Sequence, residues 1–416
     1  MKRYRCNGSG WEKFHRRRFE TVSKVVKIRQ VSPPPSRDAV LWDERNDRRI
    51  QEFYNLLRVG LTSRRRFMPS ESIWIQPEML SGRAWHFMQY DRKSAMAAEQ
   101  NAKDAWRLFN RNWLLLGVLA STLALCLWLT DFSVRINNHL IALIALAILF
   151  TAATYSTFGR FDSRIPFILG TLAQLELLSL LIEPLTYIAA ATDLPMQDGK
   201  LASLDRMLGL DWVAYFNFIY DRPALIPYAY LGYAMILWPI FVIPVILGIA
   251  REYRRLQQFT LACALTLIAT TLIFVAVPAL GTYSEYGIAP DPAIFKAGAY
   301  LMQLHDLPLV RAGSLRVLNV TQLAGIITFP SFHAAAAILC LWALWCIWWL
   351  RPWALIANIG MLLVTPMVGG HYFVDVFAGA GLAVFAIAAA HKAGQFNLGA
   401  HGLRYEEAAV AQSLEG

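Results

Sequence analysis

Charge is what this 416-residue chain has least of. Asp, Glu, Lys and Arg make up 16% of it, where an average soluble domain holds about 25%. Apolar residues reach 56%, above the usual 45–50% or so. That balance excludes a disordered chain, a collagen-like chain and an ordinary soluble enzyme. Cysteine is scarce too: five thiols cannot staple a 46.9 kDa chain. Cys126, Cys263, Cys340 and Cys346 sit inside apolar runs, where a thiol acts as a small hydrophobe, and Cys6 stands alone. No disulfide framework is expected. A secretory leader is not expected either, because the first apolar run follows 112 polar residues.

The net charge of +10 belongs to one part of the chain. Residues 1–112 hold 24 Lys/Arg against 12 Asp/Glu, and the remaining 304 residues hold 15 against 17. Runs such as Arg16-Arg17-Arg18 and Arg64-Arg65-Arg66 can support nucleic-acid binding. The expected reading is a cytoplasmic extension that obeys the positive-inside rule and touches anionic lipid, with no nucleic-acid partner. Translation from Met68, Met79 or Met96 is a further alternative.

A membrane-crossing helix needs about 20 apolar residues. Eight segments qualify: 113–130, 140–157, 165–191, 224–250, 256–280, 327–350, 353–368 and 374–390. The fold class is therefore an all-α polytopic membrane protein. With both termini cytoplasmic, 32 of the 39 Lys/Arg lie inside and 7 outside, which is the charge-consistent orientation. The expected organisation is a basic extension (1–112), a transmembrane hairpin (113–164), a membrane domain (165–390) and a cytoplasmic tail (391–416). The expected location is the inner membrane. Glu176 and Glu183 fall inside the third span, where an acid is a functional candidate by default. Glu183 can instead reach the interface, and Glu176 can hydrogen-bond a neighbouring helix as a neutral carboxyl.

Three polar islands interrupt the apolar half: Pro278–Tyr283, Gly325–His333 and Gly369–Asp375. The assigned topology brings all three to the outer face. His371 and Asp375 are spaced i,i+4, so on a helix they would share one face. A carboxylate there accepts from Nδ1–H, fixes the tautomer and leaves Nε2 nucleophilic. His333 is expected one turn into a helix opened by Pro330 near its first position, a start that favours anions. Two imidazoles, one carboxylate and a phosphate-friendly helix start point to phosphoryl transfer through a phosphohistidine. One histidine would attack phosphorus and the other protonate the leaving alkoxide. The same residues read alone also fit a metal site, a haem site or a non-catalytic transporter.

FPSFHAA around His333 and GGHYFVDVFAG around His371 resemble the second and third signature motifs of the type 2 phosphatidic acid phosphatase superfamily. The similarity is greatest to the branch with inositol phosphorylceramide synthase and bacterial membrane phosphotransferases. Asp205-x-x-Leu-Gly-x-Asp211-Trp212 and Arg311-x-Gly313 fit the same branch. The resemblance implies a six-helix core with the site in the outer leaflet and no cofactor or metal. It makes His371 the nucleophile, Asp375 its orienting partner and His333 the acid, with Arg311, Ser331, Gly370, Tyr283 and Thr365 binding substrate. The first motif's bases are absent from Pro278–Tyr283, and Thr365 stands where an arginine is expected. A phosphomonoester dianion wants several cations, whereas a diester carries one charge and needs fewer. The expected activity is therefore head-group transfer between lipid substrates, with lipid phosphate hydrolysis as the alternative.

Overall fold

The computed structural model describes residues 82–158, 162–289 and 299–395, all within one compact unit, Gly82–Gly416. The arginine runs near the N-terminus and the tail beyond 395 lie outside the described residues, so the expected contact with anionic lipid does too.

The described residues are mostly helical. In order come α1 (Gly82–Leu129), α2 (Asn138–Thr157), α3 (Arg164–Ala190), α4 (Asp198–Met207), α5 (Trp212–Tyr220), α6 (Ile226–Ala234) and α7 (Pro239–Ile249). Then follow α8 (Tyr253–Ala276), the single turn α9 (Thr282–Glu285), α10 (Ala299–Arg311), α11 (Phe332–Leu344), α12 (Arg351–Val368) and α13 (Phe373–Gln395). Two short strands, β1 (Ser133–Val134) and β2 (Val317–Leu318), pair in parallel.

Among the described residues, six helical segments are long and apolar enough to cross a membrane: Asn101–Leu129, Asn138–Thr157, Arg164–Ala190, Tyr253–Ala276, Trp348–Val368 and Phe373–Gly394. The other two expected spans are irregular. The fourth is a pair of helices bent by 61°, with Pro239 opening the second piece and Pro244 inside it. Proline lacks the N–H a continuous helix needs. The sixth is helical only over the 13 residues of α11, about 20 Å at 1.5 Å per residue. That is short of a hydrocarbon core of about 30 Å.

The boundary expected at residue 112 falls inside α1. Hydropathy marks where apolar residues begin, but the preceding segment has no proline, and its Ala, Gln, Glu, Lys and Arg sustain the helix. Ala105, Leu108 and Phe109 are buried in the main core with residues of α3 and α8. The expected hairpin is thus built into the bundle: α2 packs on α3, and α1 packs on both α3 and α8. Next to the site, α13 packs on α8 and α11, and α11 on α12.

The connecting segments sort into two sets. At one end Arg316 pairs with Asp131 at 2.9 Å, Asn137 donates to Asn319 at 2.8 Å, and the Gln197 N–H reaches the Pro278 carbonyl at 2.8 Å. At the other, Arg251 lies 3.5 Å from Asp162 and Arg255 donates to the Ala343 carbonyl at 3.0 Å. These are the same groupings that alternate crossing of the expected spans produces.

Polar groups inside an apolar bundle need protein partners. Asn112 of α1 donates to the Gln257 side chain (3.1 Å) and carbonyl (3.2 Å) of α8, and Gln257 donates to Thr171 of α3 (2.7 Å). Gln174, beside Glu176, donates to the Phe109 carbonyl at 2.9 Å. Gln257→Leu leaves Asn112 only the backbone carbonyl of residue 257 and removes the donor to Thr171, and we expect a loss of about 1–3 kcal/mol. Thermal unfolding in detergent checks it, and Asn112→Leu in the same chain should recover part of the loss.

Candidate active site

The site is assembled where α13 begins. The first four N–H groups of a helix lack intrahelical acceptors, and here each is accounted for. The Tyr372 N–H donates to Asp375 Oδ2 at 2.9 Å, and the Asp375 N–H to the Tyr372 carbonyl at 3.2 Å. The Phe373 and Val374 N–H groups donate to the two oxygens of Asp205, at 2.8 and 2.9 Å. Asp205 comes from α4 and is fully buried. Burial pushes its carboxyl above the usual range, and the two backbone donors pull against that shift.

His371 stands just before this start, its Nδ1 3.3 Å from Asp375 Oδ2. The pairing expected from the i,i+4 spacing is therefore present with a different cause. His371 lies in the loop ahead of α13, and Asp375 reaches back to it as it caps the helix. Both side chains are buried.

The end of α12 and the loop 369–371 are held by segments far away in sequence. Trp212 Nε1 donates to the Pro366 carbonyl at 3.0 Å, Tyr283 to the Met367 carbonyl at 2.7 Å, and the Thr282 N–H to the Gly370 carbonyl at 2.9 Å. Asp198 gathers the Leu280 and Gly281 N–H groups and the Tyr372 hydroxyl at 2.8–3.0 Å. Gly370 (φ 65°) and Gly281 (φ 108°) meet here, and a Cβ on Gly281 would sit 2.5 Å from the Gly370 oxygen. Only glycine fits both the left-handed backbone and that approach.

His333 arrives on α11, which is tied to α13 by the Ser331 N–H donating to the Asp375 carbonyl at 3.1 Å. Gly379 permits this contact, since a Cβ there would lie 2.1 Å from the Ser331 oxygen. The cap of α11 is Ser331, whose hydroxyl accepts from the Ala334 N–H. Pro330, expected near the first helical position, stands before the cap. The His333 ring stacks on Tyr233 with centroids 3.9 Å apart, and Tyr233 also touches Gly369. His333 Nε2 is shut off from solvent and has no hydrogen-bond partner.

The structure brings His333, His371, Asp375, Ser331 and Gly370 together. The other expected substrate-binding residues are engaged in the framework. Arg311 donates to the Thr192 and Leu194 carbonyls beyond the end of α3, at 2.7 and 2.8 Å, and so ties α10 to α3. Tyr283 spends its hydroxyl on Met367, and Thr365 returns its own to the Met361 carbonyl. Spacing cannot reveal a side chain already satisfied by a remote carbonyl. Glu176 and Glu183 are half-buried on α3 and are not hydrogen-bond partners of these residues.

Asp198, Asp205, Trp212 and Tyr233 carry roles that motif reading left unassigned. The signal was present for two of them, since Asp205 and Trp212 lie in the Asp205-x-x-Leu-Gly-x-Asp211-Trp212 stretch that carries part of the resemblance. Asp205→Ala leaves two buried N–H groups without acceptors. We expect a loss of roughly 2–4 kcal/mol in stability and a fall in turnover, checked by thermal unfolding and assay of the same preparation.

Neither the curated proteins nor the solved structures hold a match to this chain. The family model described as PAP2 superfamily matches residues 199–389, a segment that contains Asp205, His333, His371 and Asp375. Members of that superfamily are phosphatases and phosphotransferases, and residues 199–389 of this chain are similar to them.

Proposed function

We propose that this protein transfers a phosphorylated head group between lipid substrates at the outer face of the inner membrane, through a phosphohistidine at His371. One observation carries the reading: the His371–Asp375 pair has beside it a second imidazole whose Nε2 is buried without a protein partner. In the first step the His371 Nε2 lone pair forms the N–P bond and the P–O bond to the departing lipid alcohol breaks. His333 gives that oxygen its proton. Asp375 accepts from Nδ1–H throughout and stabilises the positive charge on His371. In the second step His333 takes the proton of the acceptor alcohol, whose oxygen displaces His371 from phosphorus.

Two features bear on the substrate, an apolar lining next to His333 and the charge of the groups around it. An apolar cavity of about 70 Å³ lies between α3, α8 and α11, lined by Leu178, Phe259, Leu267, Phe332, Ala336 and Leu339. Phe332 is the immediate neighbour of His333. Among the described residues, no Lys or Arg is a hydrogen-bond partner of His333, His371 or Asp375, which suits a singly charged diester better than a dianion.

His371→Ala, His333→Ala and Asp375→Asn should each reduce turnover by about 10³-fold or more without unfolding the protein, and wild-type activity should survive EDTA. Product analysis with lipid phosphodiesters and monoesters, with and without diacylglycerol, ceramide or inositol-type acceptors, decides between transfer and hydrolysis. Dominant release of free phosphate from monoesters, undiverted by any acceptor, would overturn transfer.

Orientation is tested separately with an impermeant thiol reagent in a cysteine-free background. Ser314→Cys, at the end of the bundle that carries the site, should be labelled in intact spheroplasts. Ser163→Cys, at the opposite end, should react only after permeabilisation. The reverse pattern would put the chemistry on the cytoplasmic side.

A further inference from the structure

Buried polar atoms without partners are uncommon in proteins, and each asks for an explanation. Four of them gather around one loop here: His333 Nε2, Asp375 Oδ1, Thr282 Oγ1 and Tyr300 Oη. The first two belong to the reacting groups. Thr282 and Tyr300 do not, and neither was singled out by motif or spacing.

Both flank Gly370, the residue before His371. The Thr282 N–H holds the Gly370 carbonyl at 2.9 Å. The Tyr300 ring lies against the other side, 2.5 Å from where a Gly370 Cβ would be. Thr282 is fully buried and Tyr300 is 2% exposed. Their frames are rigid: α9 is anchored through Asp198 and Gly281, and the Tyr300 ring packs on Tyr283 with centroids 4.2 Å apart. Two buried hydroxyls are thus carried by residues packed against Gly370, next to His371 in the chain, and neither has a hydrogen-bond partner among the described residues. The one arginine expected at the site, Arg311, has its guanidinium turned onto the carbonyls of Thr192 and Leu194.

We propose that Thr282 and Tyr300 form an uncharged hydroxyl pair that donates to the non-bridging oxygens of the substrate phosphate, and that this pair selects a phosphodiester monoanion over a monoester dianion. The inference rests on the phosphoryl-transfer reading above. Neutral donors match a single delocalised charge, whereas a second charge entering a buried site calls for cations. Donors fixed before the substrate arrives also cost no reorganisation when it binds.

The test uses the full-length protein in detergent micelles, with dioctanoyl phosphatidylinositol as diester and dioctanoyl phosphatidic acid as monoester. Thr282→Val and Tyr300→Phe should each lower kcat/KM for the diester about 10- to 100-fold, mainly through KM. The melting temperature without substrate should not fall, because no protein hydrogen bond is lost, and Thr282→Ser should restore KM. Wild-type turnover of the diester with unchanged KM in both variants overturns the pair and leaves phosphoryl transfer standing. So does a loss of activity that follows a lowered melting temperature, which would make the residues structural. A wild-type preference for the monoester overturns the charge matching. No wild-type turnover of either lipid overturns the phosphoryl-transfer reading and the pair with it.

Discussion

The arrangement depends on how one buried helix begins. The start of α13 exposes N–H groups that have no helical acceptor and no water to turn to. Two carboxylates answer that need from opposite sides, Asp205 from α4 and Asp375 from the helix itself. The positive end of the helix dipole makes room for two acids where one buried acid alone would be costly. Because Asp375 is held as a cap, its oxygen also stands at a fixed point for His371 Nδ1. Helix capping and orientation of the imidazole are one interaction.

The same start recruits the rest of the molecule. Asp198, Trp212, Thr282 and Tyr283 all bond to residues 366–372, the end of α12 and the loop after it, so the segments on either side of α8 become its scaffold. Irregular backbone is tolerated at membrane depth only where protein surrounds it. The 13-residue α11, with Ala334–Ala337 and Leu339 buried, meets that condition at His333, whereas the bend between α6 and α7 leaves Leu237 and Trp238 exposed. At the same end, the β1–β2 pairing and the Arg316–Asp131 contact fasten the α1–α2 turn to the segment before α11.

Charge is distributed with economy. Arg311 and Arg316 bind carbonyls and an aspartate of the framework, while the side chain bonded to His371 is the carboxylate of Asp375. A cation in this position would favour dianions. The uncharged donors proposed here fit the same composition that makes bases rare in the whole apolar half.

Much of this was legible in the sequence. Hydropathy located all eight apolar segments, because burial in lipid or in a helical core is written residue by residue. The two histidine islands and the His371–Asp375 spacing were legible too, since local chemistry needs neighbours a turn apart. Other features were decided by tertiary structure. The length of α11 followed from where Ser331 could cap against α13, which apolar composition does not report. The engagement of Arg311 and Tyr283 with backbone carbonyls, and of Asp205 with a helix start 168 residues away, needed the chain to be folded. Sequence by itself determined which groups are candidates for the chemistry and which stretches are apolar, because both are properties of single residues and short periods. Only the tertiary structure decided which polar groups are already satisfied and which remain to meet a substrate, because a hydrogen-bond partner is a matter of position in space.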